Sequence, residues 1–209
     1  MRETPRSWCS WSNGSSPTCS PSRSSPPRPG SGSTRSACAS GCRTSWTGPR
    51  AGSGGRGLYS LHPLTERPLI ALGRFRQARA VIKPPKGPEI EVVSVHPCAP
   101  SHAEKMACWR SGLAALPRAG ERLTVLAGDF NATLDHWPVR ALLDSGYRDA
   151  ADVTGQGFTA TWPQQGWRPL PGVTIDHVLA DRRMGVRAFS VHELSDTDHR
   201  PVFAELTLP

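Results

Sequence analysis

The sequence predicts an α/β (α+β) domain built as a two-sheet β-sandwich flanked by helices. Short apolar runs of β-forming residues outnumber the helical stretches, and the helical stretches lie between these runs. The 209 residues are enough for one domain with a sizeable core, because domains commonly span about 100 to 200 residues.

The first 56 residues differ in composition from the rest of the chain. They contain no Leu, Ile, Val, Phe or Tyr, but 15 Ser and 7 Pro. Without apolar area, such a segment cannot offset about 1 to 2 kcal/mol of backbone entropy per residue. We therefore expect residues 1–56 to be disordered or to lie loosely over a globular domain that spans 57–209.

Strands are predicted at 70–72, 78–82, 89–96, 123–127, 158–162, 174–180, 186–191 and 202–207. A helix is predicted at 101–116, where Ser101 and Glu104 have the spacing of a capping box. A second helix is predicted at 135–145, and Gly146 is its stop signal. Glu66 is expected in a loop.

The net charge of +8 lies almost entirely at the N-terminal end. Residues 1–60 hold eight arginines and one acid, whereas the remaining residues hold 17 basic and 16 acidic side chains. The domain is thus almost neutral, which does not support a dedicated duplex nuclease, because such an enzyme neutralises several phosphates with Lys or Arg. Binding of nucleic acid or an acidic surface by the basic segment is an open alternative.

No apolar run approaches the roughly 20 residues of a membrane span, and the N-terminus lacks the apolar centre of a secretion signal. We expect a soluble chain, cytoplasmic by default. The cysteines at 38 and 42 have a spacing that suits a metal, but no second pair with His follows, which disfavours a zinc site. The sequence leaves disulfides open.

An apolar strand runs directly into Asp129 and Asn131. Because side chains alternate faces along extended chain, both point the same way at the strand's end, where a carboxylate and an amide could share one ligand. A β-turn is the simpler reading of such a pair. Acidic and imidazole groups recur beside later strands, at 176–177 and 198–199, and three such patterns in order favour a functional site.

These patterns resemble the endonuclease/exonuclease/phosphatase superfamily, metal-dependent phosphoesterases that include deoxyribonuclease I. The matching motifs are Gly57-Leu58-Tyr59-Ser60 with His62-Pro63-Leu64, Val93-Ser94-Val95-His96, Gly128-Asp129-Phe130-Asn131-Ala132, Ile175-Asp176-His177-Val178 and Asp198-His199-Arg200-Pro201-Val202. The resemblance implies a deoxyribonuclease I-like fold and hydrolysis of a phosphate ester or phosphodiester with Mg²⁺ or Mn²⁺. It does not assign the substrate, which depends on variable loops.

The resemblance also implies roles for individual residues. Asp129 would orient or deprotonate the attacking water, and Asn131 would hold a phosphate oxygen. Asp176 would orient His199, which contacts the scissile phosphate. Asp198 would help to bind the metal.

The roles of five further residues are less determined. His96 matches a strand-end histidine that acts as general acid or phosphate ligand, and which histidine is acid and which is base stays open. Tyr59 either contacts phosphate or packs in the core. His177 faces opposite Asp176 in a regular strand, which favours a structural role. Trp162 and Trp167 are expected to pack, and substrate stacking is the less favoured reading.

The front of the chain departs from the superfamily pattern. Members begin with a strand ending in Asn and an apolar strand ending in the Glu that is the principal metal ligand, and neither is present here. Glu3 and Glu66 are both poor replacements. Reading residues 8–12 one base earlier permits an apolar strand ending in Glu. The alternative to an active enzyme is therefore an inactive, truncated or misframed relic.

Overall fold

The computed structural model describes residues 44–48, 56–72, 75–164 and 171–209. The expectations for residues 1–43 and for Trp167 lie outside these ranges. The strands are β1 Thr44–Gly48, β2 Arg56–Ser60, β3 Leu64–Leu72, β4 Phe75–Ile82, β5 Ile90–Val95, β6 Leu123–Asp129, β7 Tyr147–Asp149, β8 Asp176–Asp181, β9 Gly185–Val191 and β10 Val202–Thr207. The helices are α1 Ala103–Ala114, α2 Trp137–Asp144 and α3 Ala150–Val153.

Six strands form the central sheet in the order β3-β4-β5-β6-β8-β7. Strands β5 and β6 are parallel, joined through α1, and the other neighbours in this sheet are antiparallel. The β9–β10 and β1–β2 pairs form separate two-stranded sheets. The predicted mixed α/β architecture with more than one sheet and few helices is confirmed.

The two faces of the central sheet bury different partners. Leu126 and Leu179 are fully buried on one face, against residues of α1 and α2 such as Trp109 and Leu142. Their neighbours Ala127 and Val178 lie on the other face, in a cluster with α3 and the β9–β10 hairpin. This alternation follows from the two-residue period of a strand, and it explains why consecutive residues are apolar in the middle of each strand, at 125–127 in β6 and at 178–180 in β8.

Local predictions failed where tertiary contacts outweigh the local pattern. The strand predicted at 158–162 is wrong, because Phe158 is 100% exposed and only Trp162 forms an isolated bridge, with Val173. The strand that pairs with the edge of β8 is instead β7. The loop predicted around Glu66 is also wrong, because this residue lies in β3 and pairs with Ala80.

Helix α1 begins without the predicted capping box. Its N-cap is His102, whose side chain makes no capping bond, and Ser101 Oγ lies 3.0 Å from His102 Nδ1 instead. A disulfide joins Cys98 to Cys108, with the Cα atoms 5.9 Å apart. It fastens the segment after His96 to α1. Across the described ranges, no helix has the length and apolar character needed to cross a membrane.

Candidate active site

The register of the central sheet brings three of the predicted site residues to one edge. In the parallel pair β5–β6, Val95 lies opposite Gly128, so His96 and Asp129 follow at the same level. In the antiparallel pair β6–β8, Asp129 lies directly opposite Asp176. Residues that are far apart in the sequence therefore become neighbours through backbone pairing alone.

Gly128 allows β5 and β6 to approach closely just before this edge. Its φ is +140°, a value that favours glycine, and a Cβ at this position would overlap the carbonyl oxygen of Val95. The glycine of the Gly128-Asp129 motif is therefore required by packing between the strands that carry the site.

Asp129 is the centre of the group. Its side chain is largely buried, and its Oδ1 accepts a hydrogen bond from the backbone N–H of Asn131 at 2.7 Å. Its Oδ2 accepts one from Asn131 Nδ2 at 3.1 Å. Nε2 of His96 lies 3.7 Å from the same Oδ2, and Nε2 of His199 lies 4.0 Å from it. One carboxylate thus faces an amide and two imidazoles.

This environment raises the pKa of Asp129 to about 7. Burial is the main cause, because it penalises the charged form, and the negative charge of Asp176 adds to it. The positive charge of His199 and the N–H of Asn131 act in the opposite direction. A carboxyl group that titrates near neutral pH can accept and release protons under physiological conditions.

Asp176 and His199 form a hydrogen-bonded pair. Nδ1 of His199 lies 2.9 Å from Oδ2 of Asp176, which leaves Nε2 directed toward Asp129. Burial lowers the pKa of His199, but the hydrogen bond and charge of Asp176, with the charge of Asp129, outweigh burial and raise it above its ordinary value. The pair therefore favours an imidazolium beside the carboxyl of Asp129.

Sequence reasoning missed two residues that hold this group in place. Thr161 Oγ1 accepts the backbone N–H groups of Ile175, at 3.0 Å, and Asp176, at 3.1 Å. The buried Gln77 donates from Nε2 to the carbonyl of Gly112 at 3.0 Å, and its Oε1 lies 3.4 Å from the backbone N of His96. Nothing in the sequence marked either residue, because Gln77 lies in a strand that also contains Arg76 and Arg79.

Two further predicted site residues are Asp198 and Tyr59. Asp198 is exposed, and its Oδ2 accepts a hydrogen bond from Trp162 Nε1 at 3.1 Å. The ring of Trp162 lies 6.4 Å from that of His199, centroid to centroid. Tyr59 lies in β2, a strand that contacts β4 and β5, and its contact with a substrate stays a prediction.

The chemistry of the donors suits a hard divalent cation in part. Oxygen ligands are those that Mg²⁺ prefers, and the charge of Asp176 already disfavours ionised Asp129, a repulsion that a cation would relieve. However, among the residues that the structure describes, no group of three or more His, Cys, Asp or Glu side chains is placed to hold a metal ion. The described residues by themselves therefore do not complete a metal site.

A cavity of about 480 Å³ adjoins the loops that carry the site. Its walls include Thr133, two residues after Asn131, and Thr174, two residues before Asp176. The side chains of the site itself, His96, Asp129, Asn131, Asp176 and His199, are not among its lining residues. Its charged lining residues are three aspartates, Asp135, Asp144 and Asp152, and one arginine, Arg140.

With this fold and this group of side chains, the chain belongs to the endonuclease/exonuclease/phosphatase family, whose model matches residues 7–199. Members of the family are hydrolases that act on phosphoesters. No curated protein sequence matches the chain.

Solved structures share the fold at low sequence identity. A functionally unknown conserved protein from Enterococcus faecalis is similar with a TM-score of 0.59 and 16% identity, over 79% of this chain and 77% of that chain. An endonuclease/exonuclease/phosphatase from Beutenbergia cavernae has a TM-score of 0.57 and 19% identity, over 78% of this chain but only 53% of that chain. Danio rerio TDP2 complexed with a single-strand DNA product has a TM-score of 0.56 and 14% identity, over 78% and 76%. These likenesses establish the fold alone.

Proposed function

We propose that this chain hydrolyses a phosphate ester or phosphodiester. The observation that supports this most is the arrangement of side chains at one edge of the sheet. There Asp129, whose pKa is about 7, lies beside the Asp176–His199 pair and His96. Such a group combines a proton acceptor with imidazole proton donors, which hydrolysis of a P–O ester bond requires.

In the proposed reaction, a water oxygen attacks phosphorus while the bond from phosphorus to the leaving oxygen breaks. Asp129 takes a proton from the water, which its pKa of about 7 allows near neutral pH. The leaving oxygen gains a proton from an imidazolium, and Nε2 of either His96 or His199 lies in reach of the same carboxylate. The amide of Asn131 holds a phosphoryl oxygen, and Asp176 keeps His199 oriented.

We further propose that Mg²⁺ or Mn²⁺ is required. The family generally depends on a divalent metal, which when bound supplies neutralisation of the phosphoryl oxygens and activation of water. We assign Asp198 to the ion, because its exposed carboxylate follows directly before His199 in the chain.

The charge of the domain favours a small phosphoester over duplex nucleic acid. Residues 61–209 hold 17 basic and 16 acidic side chains, whereas a dedicated duplex nuclease neutralises several phosphates with Lys or Arg. The organic group of the ester stays unassigned.

An inactive relic is the second candidate. It is favoured by the absence, within the described ranges, of a group of three or more metal-binding side chains. In this case the chain lacks the metal-ligating Glu expected from the superfamily. The site keeps its remaining side chains but does not turn over substrate.

Hydrolysis of chromogenic phosphate monoesters and diesters by the purified full chain, with Mg²⁺, Mn²⁺ or EDTA, separates the two candidates. We expect metal-dependent turnover that is lost in Asp129→Ala and kept in Glu205→Gln, a matched control at an exposed carboxylate of β10. A folded wild-type chain that hydrolyses neither substrate class with either metal would establish the relic instead.

A further inference from the structure

We propose that His177, oriented by Asp149, is a positioning residue whose bond to the Ala132 carbonyl holds the turn carrying Asn131 in its working geometry. This inference rests on the proposed function, because the turn matters only if Asn131 contacts a phosphate. The described hydrogen bonds of the two side chains join them to each other and to backbone, while the charge of His177 also lowers the pKa of Asp129. Replacing His177 by either Asn or Gln removes this charge, so a difference between the two variants reports on the bond to Ala132.

His177 is 0% exposed, yet both of its ring nitrogens face oxygen atoms. Nδ1 lies 3.0 Å from Oδ2 of Asp149, and Nε2 lies 2.9 Å from the backbone carbonyl oxygen of Ala132. The edge of Phe130 packs against the ring, with the two centroids 5.5 Å apart. A histidine that only filled space would not need two polar partners from two distant segments.

These partners dictate where the protons lie. The Ala132 carbonyl can only accept, so Nε2 carries a proton, and the Nδ1 proton is shared with the Asp149 carboxylate. Burial lowers the pKa of His177, but the hydrogen bond and charge of Asp149 outweigh this effect and raise it above its ordinary value. Asp149 is fixed in turn, because its Oδ1 accepts the N–H of Asp152 as the N-cap of α3.

The carbonyl that His177 binds belongs to the residue after Asn131. Asn131 has a φ of +48°, in the left-handed region that non-glycine residues seldom adopt. In this conformation its N–H reaches Asp129 Oδ1 and its side-chain amide reaches Asp129 Oδ2. On the other side of the turn, the N–H of Phe130 bonds the carbonyl of Ile175 at 2.8 Å. The bond from His177 Nε2 to the Ala132 carbonyl therefore fixes the end of the turn that follows Asn131. It helps to hold Asn131 in an otherwise unfavourable backbone conformation.

Two substitutions separate the two bonds of His177. The amide nitrogen of Asn can replace Nδ1, whereas that of Gln can replace Nε2. His177→Gln thus keeps a donor for Ala132 and loses the one for Asp149, and His177→Asn does the reverse. We expect His177→Asn to lower kcat about 10- to 100-fold with little change in KM. We expect His177→Gln, which keeps the donor for Ala132, to retain most of the wild-type kcat.

Amide hydrogen exchange gives a readout that does not depend on catalysis. We expect the Asn131 amide to exchange faster in His177→Asn than in His177→Gln, at equal thermal stability or after correction for it. In the wild-type chain, NMR should show a slowly exchanging His177 Nε2 proton, which requires no variant to fold. Absence of this proton would overturn the proposal, as would equal loss of kcat or equal exchange at Asn131 in the two variants. A wild-type chain without hydrolytic activity would instead refute the proposed function, while the exchange comparison would still decide the positioning role.

Discussion

Asp176 and His199 are joined by a hydrogen bond of 2.9 Å between Oδ2 and Nδ1, although 22 residues separate them in the sequence. The bond fixes the orientation of the imidazole, and the carboxylate of Asp176 also affects Asp129, which lies opposite it in the sheet. One side chain therefore shifts the pKa values of two others, both upward.

Replacing Asp176 by Asn should move both limbs of a pH–rate profile to lower pH. The acidic limb moves because Asp129 loses the neighbouring negative charge that raises its pKa. The alkaline limb moves because His199 loses the carboxylate whose hydrogen bond and charge raise its pKa. We expect kcat to fall about 10²- to 10⁴-fold at neutral pH. Steady-state rates from pH 5 to 10 check this, and unchanged limbs would show that Asp176 acts on neither group.

Asp129→Asn should abolish activity and yet stabilise the fold at alkaline pH. The folded-state pKa is raised from 3.8 to about 7, so between these values the folded protein binds more protons than the unfolded chain and loses stability as the pH rises. Asn has no such cost, and a gain of about 1 kcal/mol corresponds to about 2 to 4 °C in Tm. Thermal denaturation in EDTA should show the gain at pH 8 and little at pH 4. Because Asn131 donates to both Asp129 oxygens and an amide accepts through its oxygen only, the decisive quantity is how the Tm difference between variant and wild type changes with pH. A difference that does not grow from pH 4 to pH 8 would contradict a pKa of about 7 for Asp129.

Gly128→Ala should destabilise the domain by about 2 kcal/mol or more. The new methyl group would overlap the Val95 carbonyl in addition to straining a positive φ. Gly120→Ala is the matched control, because its φ is +121° but nothing lies within 4 Å of the added atom. Urea denaturation of both variants isolates the cost of the overlap, and equal midpoints would mean that β5 and β6 do not approach closely at this point.

Trp162→Phe should raise the Mg²⁺ concentration needed for half-maximal activity by about 10-fold. The substitution removes the Nε1 donor to Asp198 Oδ2 but keeps an aromatic ring beside His199. We therefore expect the alkaline limb of the pH–rate profile to stay in place. Metal titrations of the variant and of Asp198→Asn test the assignment of Asp198 to the ion. An unchanged metal requirement in both variants would remove Asp198 from the metal site.

Local sequence predicted that Asp129 and Asn131 lie together, but for the wrong physical reason. β6 ends at Asp129, and Asn131 has a φ of +48°, so a turn and not extended chain brings the side-chain amide of Asn131 to Asp129 Oδ2. The turn is closed by the bond from the Asn131 N–H to Asp129 Oδ1, as the simpler reading of the pair predicted. The approach of His199 to Asp176 requires the connection between β9 and β10 to lie against the start of β8, and only the resemblance to known phosphoesterases indicated it.

The residues that sequence reasoning missed act through bonds to distant backbone. Thr161 is bound to residues 14 and 15 positions away, and Gln77 is bound to a carbonyl 35 positions away. No local pattern contains such partners. The strand wrongly predicted at 158–162 shows the same limit, because a stretch of β-forming residues becomes a strand only where a sheet edge is free, and β7 occupies that edge.

The direct pairing of Asp129 with Asp176 across β6 and β8 has a consequence for how this protein can tolerate insertions. Side chains along a strand point alternately to its two sides, so a single residue added within β8, between His177 and Val178, would turn His177 outward and drive Asp176 into the apolar interior. Catalytic geometry and strand alignment are thus inherited together, and length changes near this edge are tolerable only in the loops before Ile175 or after Asp181.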